Sequence, residues 1–162
     1  MILNAYTLLH VAISLVGILS GFVVLRGMLT AQHSDGWTKL FLVTTAATTV
    51  TGFFFPFHGF TPALGTGVVS LIVLTIAFHA LYGRRLVGGW RKTYVITAII
   101  ALYLNVFVLI VQSFQKVPAL KALAPKQTEP PFAITQLLVL GLFIVLGVLA
   151  VRRLRDSPAG AA

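Results

Sequence analysis

Along this chain the charged residues fall in short clusters and the apolar residues in long unbroken runs. Residues 1–25, 40–83, 93–115 and 130–151 contain no Lys, Arg, Asp or Glu. A helix needs roughly 20 apolar residues to cross about 30 Å of hydrocarbon, so three of these stretches each suit one crossing. The stretch 40–83 would run about 66 Å as a single helix. Its centre reads Pro56-Phe57-His58-Gly59-Phe60-Thr61-Pro62, two prolines around a glycine, which is turn chemistry. The pattern predicts an all-α membrane protein, a five-transmembrane-helix bundle in one integral domain spanning 1–162, with spans at about 5–28, 38–56, 62–83, 93–115 and 133–154. A four-span count would need a re-entrant piece inside 40–83, and lipid-exposed irregular backbone is costly.

Between the last two spans, 116–132 carries Pro118, Pro125, Pro130 and Pro131. Val117, Leu120, Leu123 and Ala124 follow a helical spacing beside Lys116 and Lys121. Two readings fit: a short helix lying on the outer surface, or a proline-stiffened crossover. No internal repeat is visible, and an odd span number does not favour the inverted-repeat plan of many transporters.

Composition agrees and removes whole classes. Hydrophobic residues make up 58% and charged residues 9% of the chain, against about 45–50% and 25% in soluble proteins. Three acids and twelve bases cannot cover a soluble surface of this size. A cytosolic enzyme, a disordered tail and a disulfide-stapled secreted module are thereby excluded. The absence of cysteine excludes thiolate metal sites, iron–sulfur clusters and covalent haem. No basic region precedes the first apolar run, so that run is expected to remain as a helix.

The net charge of +9 reads as topology. With the Arg84–Lys92 loop in the cytoplasm, as the positive-inside rule requires, alternation also places Arg26, Lys39, Arg152, Arg153 and Arg155 inside. Lys116, Lys121 and Lys126 fall outside, a nine-to-three bias. The N-terminus is then outside, the C-terminus is cytoplasmic, and Trp37 and Trp90 both meet the inner interface. Bases interleaved with spans contact lipid headgroups, and no nucleic-acid role is expected.

Helix faces carry the next layer of information. In lipid, helices associate through small residues and interhelical hydrogen bonds. Thr7, His10, Ser14, Gly17 and Gly21 share one face of the first helix, and Gly17 with Gly21 form a GxxxG packing motif. The second helix presents Thr44, Thr45, Thr48, Thr49 and Thr51. The fourth aligns Tyr94, Ala98, Ala101, Asn105 and Gln112. Asn105 sits near mid-membrane, where an unpaired amide is expensive, and is expected to bond a neighbouring helix, a threonine of the second helix being in reach.

Chemistry has few carriers. No span holds a carboxylate, the usual bearer of coupled protons or cations, and no hydrolase, metalloprotease or phosphate-loop motif is present. A catalytic residue set and a metal site are therefore not expected. Four histidines remain: His10 and His58 towards the outer side, His33 and His79 towards the inner. Neutral imidazoles facing one another in a helical bundle hold b-type haem, and the depth-compatible pairs are His10 with His58 and His79 with His33. Packed histidines bonded to Ser14 or Thr75 one turn away are the bland alternative.

The run Thr51-Gly52-Phe53-Phe54-Phe55-Pro56-Phe57-His58-Gly59-Phe60-Thr61-Pro62, with Leu123-Ala124-Pro125 and Glu129-Pro130-Pro131-Phe132 later in the chain, resembles an uncharacterised family of small bacterial multi-pass membrane proteins. The resemblance implies a bacterial inner (cytoplasmic) membrane and no particular activity. The expectation is a small polytopic, non-enzymatic subunit or accessory protein of a membrane assembly, with the bilayer and other membrane subunits or self-association as partners. A haem- or quinone-linked electron-transfer protein is the alternative. A passive pore lined by Thr44, Thr48, Asn105 and Gln112 is a third class.

Overall fold

The computed structural model describes residues 2–56 and 59–156. Every regular element among them is helical: α1 Ile2–Thr30, α2 Asp35–Gly52, α3 Pro62–Phe78 continued by a π-helical turn His79–Gly83, α4 Trp90–Lys116, α5 Pro118–Leu123 and α6 Pro130–Asp156. Four of these, α1, α3 with its π-turn, α4 and α6, are long and apolar enough to cross a membrane. The helix α2 is shorter, opens with Asp35 and Lys39, and carries six threonines.

Local chemistry sets the boundaries. Thr61 caps α3 by accepting from the Leu64 N–H at 3.2 Å, and Pro62 stands at the first helical position, where its missing N–H costs nothing. Helix α2 stops at Gly52 and does not continue to Pro56. Phe53, Phe54 and Phe55 wind off it on three-residue bonds of 3.2–3.4 Å, since the residue before a proline is steered out of the helical region. Between α4 and α6 the chain forms the six-residue α5 with Pro118 in its first turn. Its next turn is held by Glu129, whose carboxylate accepts the N–H groups of Lys126 and Thr128 at 3.1–3.2 Å.

Packing makes α4 the hub, touching α1, α2, α3, α5 and α6. Helices α1 and α2 run antiparallel: His10 meets Thr51, and further along Gly17 faces Thr44 and Gly21 faces Phe41. Neither glycine has room for a side chain. A Cβ at Gly21 would stand 2.5 Å from Leu102 Cδ1 and 2.9 Å from the Phe41 ring, and one at Gly17 would stand 3.2 Å from Thr44 Oγ1. Without the hydrophobic effect to join helices in lipid, this close approach recovers dispersion contacts. Phe41, Leu42, Leu102, Thr45 and Ser20 are the largest fully buried side chains. Helix α6 lies outermost, in the angle between α1 and α4. Phe143 packs on Phe22 and Tyr103, Phe132 on Phe114, and the Gln136 amide donates to the Phe107 carbonyl at 3.3 Å.

Candidate anion-binding groove

One end of the bundle gathers five helix ends: the last turns of α1 and α6, the first turns of α2 and α4, and the π-turn that closes α3. Each is shaped by its own sequence. At the end of α1, Ala31 takes a left-handed φ of 56°, and the Gln32 N–H reaches back to the Gly27 carbonyl at 3.0 Å. These are the bonds of a Schellman cap with alanine in the usual glycine place. At the end of α3 the π-turn closes with Arg84 N–H to His79 O at 2.8 Å. Gly83 is required there, because a Cβ would come within 2.8 Å of His79 Nδ1. Arg85 and Leu86 come next, at φ 48° and 57°. Non-glycine residues held there cost free energy and cluster at functional sites.

Between these ends lies a groove of about 860 Å³, within the usual range of ligand pockets. Arg26 of α1, Arg85 after the π-turn, Arg91 of α4 and Arg153 of α6 all line it. Arg26, Arg85 and Arg91 have no carboxylate partner among the described residues. Asp35 is the acid on the wall, and its Oδ1 faces His33 Nε2 at 2.9 Å. Arg84 points elsewhere, its guanidinium 5.2 Å above the Trp90 ring, where it gains a cation–π contact.

Tyr94 belongs to the same wall. It is 3% exposed and lines the groove, yet its hydroxyl has no hydrogen-bond partner. That hydroxyl is itself closed off from solvent, with the Thr38 side chain as a polar neighbour. Guanidinium forks converging on one space suit oxyanions, above all phosphate.

The residues singled out from the sequence fall in other places as well. His33 lines the groove and His79 does not; the His79 ring meets Trp90 edge-on at 5.1 Å. His10 lies at the opposite end, with Nδ1 2.8 Å from Thr51 Oγ1. That hydroxyl already donates to the Ala47 carbonyl at 2.6 Å, so it accepts from His10. The ring proton is thereby fixed on Nδ1 and Nε2 is left as an acceptor. His58 lies outside the described residues. Ser14 bonds the His10 carbonyl at 2.7 Å. Asn105 donates to Thr45 Oγ1 at 3.2 Å, joining α4 to α2. Thr48 keeps an unpartnered buried hydroxyl, and Gln112 is half-buried on α4. Among the described residues no three His, Asp or Glu side chains converge on a possible metal position.

Sequence reasoning counted Arg26, Arg85, Arg91 and Arg153 as topology markers and missed that they share one space. Their common side was the available signal; the void between them arises only from tertiary packing. No protein-family model, curated protein or solved structure matches this chain.

Proposed function

We propose that the chain is a small, non-enzymatic integral protein of a bacterial inner membrane that holds an anionic ligand at its cytoplasmic face as an accessory component of a membrane assembly. The observation that carries this reading is the groove in which Arg26, Arg85 and Arg91 stand without a carboxylate partner among the described residues, the aspartate on its wall being paired with His33. Arg26 and Arg85 are exposed and Arg91 is half-buried, so an incoming anion can reach these guanidinium forks with no nearby carboxylate competing for them.

In this reading α2 is a fifth span, with the N-terminus outside and the C-terminus inside. Eighteen residues rise about 27 Å, close to the hydrocarbon thickness. Several of its threonines spend their hydroxyl protons within the helix. Thr44, Thr49 and Thr51 return their protons to the carbonyls of Leu40, Thr45 and Ala47 at 2.6–2.9 Å, which lowers the cost of placing them in an apolar setting. The C-terminal ends of α1 and α3 both reach the groove, so α2 carries the chain back between them.

Thermal unfolding of the purified protein in a zwitterionic detergent, with inorganic pyrophosphate titrated against chloride at matched ionic strength, tests the anion reading. Pyrophosphate should raise the transition temperature, and Arg26→Gln with Arg91→Gln should abolish the rise. No rise, or an equal rise in the variant, overturns it.

A second reading keeps His10 as ligand to a haem or quinone at the outer end, favoured by the Thr51 bond that frees Nε2. Axial histidines in haem proteins are oriented by such a partner on the other ring nitrogen. An absorption spectrum of protein from haem-replete cells without a Soret band rejects the haem form.

A further inference from the structure

Building on the anion reading, we propose that the occupant of the groove is the headgroup of an anionic phospholipid of the inner leaflet, with an acyl chain laid along α1. Three observations narrow the ligand from any oxyanion to a lipid. The first is size. A groove of about 860 Å³ holds many times the roughly 30 Å³ share of one water, too much space for a lone phosphate and enough for a glycerol backbone with one or two phosphodiesters.

The second is the mixed lining. Beside the arginines the wall carries Val23, Val24, Leu81, Leu86, Val95 and Leu154. Four guanidiniums among that many apolar side chains fit an amphiphile better than a hydrophilic solute, which would leave the apolar wall wet.

The third is a track leading away from the charged end. Leu15, Leu19, Val23 and Arg26 succeed one another at four, four and three residues, so they share a face of α1. Leu15, Leu19 and Val23 are 42%, 66% and 40% exposed, and the stripe runs into the groove at Val23 and Arg26. A phosphate seated among Arg26, Arg85 and Arg91 would send its chain down this stripe. Basic pockets between transmembrane helices on the cytoplasmic side bind anionic headgroups through the same combination. Excess positive charge on the wall favours a lipid with two phosphates over one.

The full-length protein is reconstituted in phosphatidylcholine vesicles with and without cardiolipin, extracted into mild detergent and weighed by native mass spectrometry. One cardiolipin should stay bound per chain. Arg91→Gln should cut its retention roughly five-fold, about what one basic side chain contributes. Arg26→Gln should act alike, and Lys121→Gln on α5 should change nothing. Equal retention by the arginine variants overturns the lipid inference. Stabilisation by inorganic pyrophosphate with no lipid retained also overturns it but preserves the anion reading, and no response to either removes both.

Discussion

Adding one methyl group at Gly21 tests whether the bundle is built by close helix approach. The new Cβ of Gly21→Ala would lie 2.5 Å from Leu102 Cδ1 and 2.9 Å from the ring of Phe41. Leu102 and Phe41 are each 1% exposed, so neither can swing out to make room. Overpacking a well-filled site of this kind costs about 1–3 kcal/mol. Against it stands the intrinsic preference of helices for alanine over glycine, about 1 kcal/mol. Gly141→Ala separates the two effects. Nothing lies within 4 Å of a Cβ built there, so that variant gains the propensity and meets no neighbour. Because both substitutions are the same and both lie within long helices, their difference isolates the packing cost. Gly21→Ala should be less stable than Gly141→Ala by about 1–3 kcal/mol. Reversible unfolding in mixed micelles, monitored by circular dichroism, measures it. Trimming the obstacle in Gly21→Ala with Leu102→Val should recover part of the loss, a positive coupling between touching residues. Equal stability of the two single variants would refute the close-approach argument.

The geometry sets four further outcomes. Asn105→Leu should cost about 0.6 kcal/mol, the usual worth of an interhelical hydrogen bond in lipid, and a cycle with Thr45→Val should show that the loss belongs to their shared bond. Ala31→Gly should stabilise the fold by about 0.5–1 kcal/mol, since glycine meets no Cβ penalty at left-handed φ; a denaturation midpoint that falls would contradict the cap described for α1. Since the chain has no cysteine, Gly36→Cys and Phe60→Cys can be labelled singly, and membrane-impermeant maleimide should reach the first only from the cytoplasm and the second only from outside, whereas labelling of both from one side would remove α2 as a span. Desolvation pushes the Glu129 carboxyl upward, but N–H donors from its own backbone, Lys126 and Thr128, with Lys126 charge, outweigh it and hold the group below its ordinary 4.5. A lowered native value gives stability that is present above the unfolded value and lost as pH falls through the native one, so the protection of the Lys126 and Thr128 amides, taken relative to the intrinsic exchange rate at each pH, should fall on acidification and show no such fall in Glu129→Gln.

Much of the helical plan was legible because the charges themselves are punctuation. Arg26, Lys39, Arg84, Lys92, Lys116 and Arg152 bracket the apolar runs, and the helices begin or end within a turn or two of them. The Gly17–Gly21 face and the Asn105 amide were legible too, since small residues and lone amides in apolar helices have few ways to be satisfied. The ambiguity of α2 has a physical origin: threonine counts as polar in composition, while its hydroxyl is silenced by the carbonyl four residues back, which only coordinates reveal. The groove was illegible for a different reason. Arg26 and Arg153 stand at opposite ends of the sequence, and Tyr94 sat within a stripe that reads as packing. Their convergence depends on where five helices stop, and the left-handed turn at Arg85 and Leu86 has no glycine to announce it.

The π-helical turn at His79–Gly83 makes the composition of that groove a question of residue count. A π-turn carries one residue more than the α-helix around it needs, and each residue of an α-helix advances the side-chain direction by about 100°. Losing a single residue from this turn would restore a regular helix and rotate the residues beyond it by that angle, taking Arg85 off the wall and delivering a neighbour in its place. The helices before and after would keep their register with the bundle through Leu74, Ala77 and Val95. Single-residue insertions and deletions are thus a route by which chains of this architecture can change which side chain lines the groove while the fold stays constant.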